Sequence, residues 1–166
     1  MNVVSESGNF IYFFANSSPD YNKALSLLAL LEKEQGKDPL FGKMKTWATN
    51  TKNSSKGKQL PTFTAYDLNG KMVSSADLSS APVAVIYTWA SYNYDSQELQ
   101  RELKRRQKKA NGRLKLMGFC LDASKYECKQ NIKRDSITSP TICNGEMMED
   151  KTLNKLGLKS LPNIIL

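Results

Sequence analysis

The run "APVAVIYTWA" (residues 81–90) constrains this chain more than any other stretch. It is apolar almost throughout, rich in β-branched and aromatic residues, and too short for a buried helix. A strand buried on both faces reads this way, as a continuous run rather than an alternation, and it needs helices above and below it. The residues after it supply such a helix. Asp95 and Glu98 stand at capping-box spacing, and a helical pattern runs from there to the Asn111-Gly112 pair, a C-terminal stop. "RLKLMGFCLD" is a second strand, and Ser124 with Glu127 opens a second helix through about Arg134. "SPTICNG" is a short strand or loop. Asp150 to Leu156 is a short helix closed by Gly157, and "LPNIIL" begins a further strand. Upstream, "LPTFTAYDLNGKMVSS" reads as strand, Asn69-Gly70 turn and strand. The alternation predicts an α/β domain with a mostly parallel central sheet, flanking helices and an N-terminal β-hairpin.

Residues 1–50 read as a helical extension, 51–59 as a polar linker and 60–166 as the α/β domain. "SESGNFIYFFAN" is an apolar cluster, helix or strand by pattern alone. Ser18-Pro19 has the form of a helix start, followed by Ala24, Leu27, Leu28 and Leu31 at helical spacing and by Gly36 as a stop. Asp38-Pro39 repeats the start, and Leu40, Phe41, Met44, Trp47 and Ala48 form the buried face of the next helix. The N-terminus lacks the basic region and cleavage site of a signal peptide, which fits either a cytosolic protein or a mature or trimmed chain. No apolar run is long enough to span a bilayer.

The chain of 166 residues has a net charge of +8 and no histidine, which removes the commonest general base and metal ligand. Its three cysteines, Cys120, Cys128 and Cys143, are too few and too dispersed in sequence to predict a zinc site or a disulfide framework, so neither a metal nor a cofactor is expected. The basic run Arg101–Lys115 reads as the solvated face of a helix whose buried side carries Leu99 and Leu103, rather than as a nucleic-acid or lipid contact.

The segments "GKQLPTFTAYDLNGKMVSSADLSSAPVAVIYTWAS", "FCLDASKYECKQNIKRDS" and "LGLKSLPNIIL" resemble the thioredoxin fold, and within it the TlpA-type thiol–disulfide oxidoreductases and their AhpC/TSA (redoxin) relatives. The match spans residues 57–166, and the N-terminal helices bear a looser likeness to segments preceding the domain in envelope-anchored members. In that family a P-x-F strand and a D-x-x-G turn lead to a strand ending in "WAS", then to a CxxC pair at a helix N-terminus, faced by a cis-proline. The resemblance puts Trp89 at the tryptophan position, Asn93 at the nucleophilic cysteine, Ser96 at the resolving cysteine and Pro162 at the cis-proline. Both sulfurs are gone. A thiolate at a helix N-terminus works because dipole and free N–H groups lower its pKa, and a second sulfur resolves the mixed disulfide. Asn93 and Ser96 do neither, and a serine without a base is no nucleophile.

These residues fit three functions of different classes. The first is a non-catalytic module that binds a protein or peptide on the surface formed by Trp89, Tyr92, Asn93, Tyr94 and Pro162, with Tyr87 nearby. The second is an oxidoreductase or peroxide-related enzyme using Cys128 and Cys143, which could equally form a structural bridge or be unrelated, with Cys128 facing the core beside Ile132 and Cys120 filling a strand. The third is a basic-surface binding protein. The resemblance implies a cell envelope or periplasmic setting, with tethering through a precursor segment. It also implies an edge strand and helix beyond Leu166, so that the chain is either cut or naturally truncated there, or a neighbouring chain pairs with the exposed edge.

Overall fold

The computed structural model describes residues 20–36, 38–55 and 57–166. The apolar cluster of residues 5–16 and the Ser18-Pro19 pair lie outside them. The chain divides into two compact units between Lys52 and Asn53.

The first unit holds α1 (Tyr21–Gln35) and α2 (Pro39–Asn53). The cap of α1 is Asp20, whose carboxylate accepts from the N–H groups of Asn22 and Lys23, so the start falls after the Ser18-Pro19 pair. Gly36, at φ +86°, ends the helix as its sequence position predicts. Asp38 accepts from the Leu40 N–H at 2.7 Å and opens α2, which runs on to Asn53, into the segment read as linker. Leu28 and Phe41 are buried with Leu31, Met44 and Trp47 packed against them, and Lys45 pairs with Glu32. Leu40 stands exposed: it occupies the turn beside the cap, off the inward stripe.

The second unit opens with a hairpin of β1 (Thr64–Tyr66) and β2 (Met72–Ser74), paired antiparallel. Its turn is tied by Asp67, whose carboxylate accepts from Asn69 and Lys71 N–H groups at 2.8 and 2.9 Å. A short helix α3 (Ser75–Leu78) leads into β3 (Val83–Trp89), then α4 (Tyr94–Lys109), β4 (Leu114–Cys120), α5 (Lys125–Arg134), β5 (Thr141–Ile142), α6 (Lys151–Leu156) and β6 (Asn163–Ile165). The sheet order is β5-β4-β3-β6, with β5, β4 and β3 parallel and β6 antiparallel to β3. The expected mostly parallel sheet with flanking helices is therefore what forms.

Each face of the sheet buries its own apolar cluster. One joins Phe63, Ile86, Met117, Phe119, Leu153 and Leu156; the other joins Val85, Tyr87, Trp89, Leu103, Leu116 and the three cysteines. Period-two side-chain direction along β3 and β4 makes this division: Val85, Tyr87 and Trp89 point one way, Ile86 the other. No helix among the described residues is long and apolar enough to cross a membrane.

Gly118 shows how tight the second cluster is. It pairs in register with Tyr87, and a Cβ at that position would lie 3.0 Å from the Tyr87 Oη and 3.1 Å from its Cζ. The ring lies across the space a side chain would take. Gly118→Ala should therefore lower stability by about 1–3 kcal/mol in urea unfolding. In a Tyr87→Leu background, where those ring atoms are absent, most of that increment should vanish.

Candidate functional site

The loop from Ala90 to Asn93 sits where β3 gives way to α4. The cap of α4 is Asn93, two residues before the Asp95 expected from the capping-box spacing. Its side-chain oxygen accepts from the Ser96 N–H at 2.8 Å, and asparagine is among the best acceptors for that purpose. Asp95 instead lies in the first turn, where a negative charge suits the helix dipole. Ser96 is fully buried. Its hydroxyl accepts from the Ala90 N–H at 3.1 Å and donates to the Asn93 carbonyl at 2.9 Å. Asn93 and Ser96 thus close the loop on itself.

Trp89 and Tyr87 are fully buried and belong to the core under the loop, so neither forms part of a surface, contrary to the sequence expectation. Large aromatics at the inward positions of a strand covered on both faces have nowhere else to go. Tyr92 and Tyr94 are the opposite case, 64% and 71% exposed on either side of Asn93. Pro162 is also exposed, and the Leu161–Pro162 bond is cis.

Thr88 brings the proline segment to the loop. This buried residue, one before Trp89, donates its hydroxyl to the Ser160 carbonyl at 2.9 Å and accepts the Asn163 N–H at 2.8 Å. Asp122 ties the loop from the other side. It is buried just beyond β4, and one carboxylate oxygen accepts the Ser91 N–H at 2.8 Å while the other has no partner. Gln97 donates to the Ser91 carbonyl at 2.6 Å and accepts from Arg134 at 2.7 Å.

The cysteines are not dispersed in space. Cys120 ends β4 and pairs in register with Trp89; Cys128 lies early in α5; Cys143 comes directly after β5. Their sulfurs all lie within 4.8 Å of one another, all three are buried and none is bridged. The expectation that they are too scattered for a metal site fails because parallel strands end at the same edge, and α5 folds back over it. Cys120 belongs to the group that sequence spacing had confined to Cys128 and Cys143. Electrostatics within the trio are unequal. Hydrogen bonds from Cys120 and Cys128, then the Gly145 amide and the Lys125 charge, draw the Cys143 thiol well below its ordinary value despite burial. Cys120 is pushed up by its bonds to the other two sulfurs and by burial. Cys128 is lowered by Cys120, but Cys143 and burial outweigh that and raise it. The Cys143 thiol donates to the Asp122 carbonyl at 3.6 Å.

The basic helix α4 uses its charges locally. Arg101 pairs with Asp135 and Glu98, and Arg105 and Arg106 pair with Glu102, while Leu103 faces the core.

No protein-family model matches the chain, and no curated protein matches it. Solved structures do. A thiol-disulfide oxidoreductase from Bacteroides fragilis is 23% identical over 64% of this chain and 80% of its own, with a TM-score of 0.56. A DsbF homologue from Corynebacterium diphtheriae is 20% identical over 66% and 71%, at 0.56. A secreted disulfide oxidoreductase from Mycobacterium tuberculosis is 15% identical over 61% and 72%, at 0.52. The chain therefore has a thioredoxin-like fold, the fold of these thiol–disulfide oxidoreductases.

The bridge made by the Thr88 hydroxyl can be removed alone. Thr88→Val keeps the shape but strands the Ser160 carbonyl and the Asn163 N–H. It should cost about 1–3 kcal/mol in denaturant unfolding and speed hydrogen exchange at the Asn163 amide.

Proposed function

We propose that this chain is a thioredoxin-like module of the cell envelope that binds an extended segment of a partner protein without dithiol exchange at its loop. The observation that carries the reading is the closed pairing of Asn93 and Ser96, which satisfies the α4 N-terminus with neutral groups. Exposed Tyr92 and Tyr94 supply large, stiff contact area beside it, and Pro162 stands exposed next to Asn163, which Thr88 holds to β3. Aromatic anchors of this kind dominate binding energy at protein interfaces. The envelope setting is supported by the likeness to a secreted disulfide oxidoreductase.

A second reading, an oxidoreductase working through Cys128 and Cys143, draws support from the proximity of their sulfurs. Burial weighs against it, because a protein disulfide must reach the attacking sulfur.

One experiment separates the two. The native chain should not reduce insulin disulfides, whereas Asn93→Cys with Ser96→Cys should gain that activity, since the first thiol then stands at the helix N-terminus. Native activity equal to that of the double variant, and abolished by Cys143→Ala, would replace the binding reading with the second. Partner capture should fall by about tenfold or more on Tyr92→Ala with Tyr94→Ala.

A further inference from the structure

The sulfurs of Cys120, Cys128 and Cys143 converge from a strand end, a helix and a loop, three elements with no local reason to meet. A bridge would use two of them and leave the third over. One ion uses all three. We propose that they form a binding site for a single thiophilic d10 divalent cation, with zinc as the ion the site fits.

The geometry needs little adjustment. With zinc–sulfur bonds near 2.3 Å, tetrahedral coordination sets neighbouring sulfurs about 3.8 Å apart. The trio already lies within 4.8 Å, so side-chain rotation of about 1 Å or less closes it. The surroundings are largely apolar: Tyr87, Trp89, Leu103 and Leu116 pack in the same cluster. A way in exists. Cys143 lines an open cleft of about 630 Å³ together with Lys125, Lys129, Ile142 and Asn144. The fourth coordination position falls to a water entering by the cleft.

Charge and donor softness select the ion. Each thiol gives its proton to solvent as its sulfur–metal bond forms, leaving three thiolates on one cation. With a divalent ion the group carries one negative charge, which the ammonium of Lys125, close enough to act on Cys143, offsets. A monovalent ion would leave two negative charges in an apolar cluster, a costlier burial. Hard ions such as magnesium or calcium need six or more oxygen ligands, which a site of three sulfurs does not supply. This inference concerns the cluster under the sheet edge and is independent of whether the loop above it binds a partner.

The test uses the full chain, reduced and metal-free. Titration with zinc against a chromophoric chelator should show one equivalent bound per chain, and thermal unfolding should shift upward with zinc. Cadmium in its place should give a thiolate-to-metal charge-transfer band at the same stoichiometry. Cys143→Ala should weaken zinc binding by more than about 100-fold, since loss of an outer-shell partner alone costs about 10–100-fold. Circular dichroism and thermal unfolding establish that this variant is folded, and the two native-chain titrations stand whether or not it is. Absence of stoichiometric zinc binding by the reduced native chain overturns the proposal. So does a cadmium complex without the thiolate band, or zinc binding that a folded Cys143→Ala variant retains.

Discussion

Parallel pairing of β3 with β4, from Val83 opposite Leu114 to Trp89 opposite Cys120, is the constraint on which the rest of the second unit depends. Parallel strands deliver their C-terminal ends to one edge of the sheet, and in open α/β folds that edge is where ligands are met. Here it carries the loop of Ala90 to Asn93 after β3, Cys120 at the end of β4 with Asp122 beyond it, and Cys143 after β5. A fourth contribution comes from the antiparallel strand: Thr88 opposite Asn163 puts Pro162 beside the same loop. One register thus assembles every chemically notable residue of the unit, although they are spread over some seventy positions of the chain, between Thr88 and Asn163.

The start of α4 at this edge has a physical logic. A helix start needs its first N–H groups satisfied, and a cysteine thiolate does that with a charge that also makes it reactive. Asn93 does it with a neutral amide, and Ser96 then turns its hydroxyl inward to the Ala90 and Asn93 main chain. Beneath this loop, the Trp89 indole nitrogen, one Gln100 oxygen and one Asp122 oxygen are among the buried groups without partners. Buried orphans in a native fold call for a reason, and a site that recruits a ligand or an ion is one.

Local signals were legible in the sequence, and long-range ones were not. The β3 run, the Gly36 and Gly157 stops and the Ser124 cap each depend on a few neighbouring residues, and each sits where the pattern put it. The cap of α4 was displaced by two positions because Asn93 and Asp95 are both good caps, and only the path of the loop decides between them. The cysteine trio was invisible. Its members come from three elements, and nothing in their spacing reveals a shared edge. Thr88 and Asp122 left faint traces: a hydroxyl within an apolar strand, and a carboxylate closing "FCLD". A polar side chain at such a place must find a partner, and here each ties one segment of the edge to another.

Burial decides how the two layers of this edge divide their work. Cys128 is wholly enclosed and Cys120 and Cys143 nearly so. A partner protein cannot bring a disulfide onto such sulfurs without opening the sheet edge, whereas a bare ion entering beside Cys143 can reach all three. Tyr92 and Tyr94 above the loop are open to a macromolecule and hold no reactive group. The two layers touch through Asp122, which holds the Ser91 N–H of the loop with one oxygen and lies against the sulfurs through its own main chain. The proposed surface recognition above and the proposed small-ion site below therefore do not draw on the same atoms.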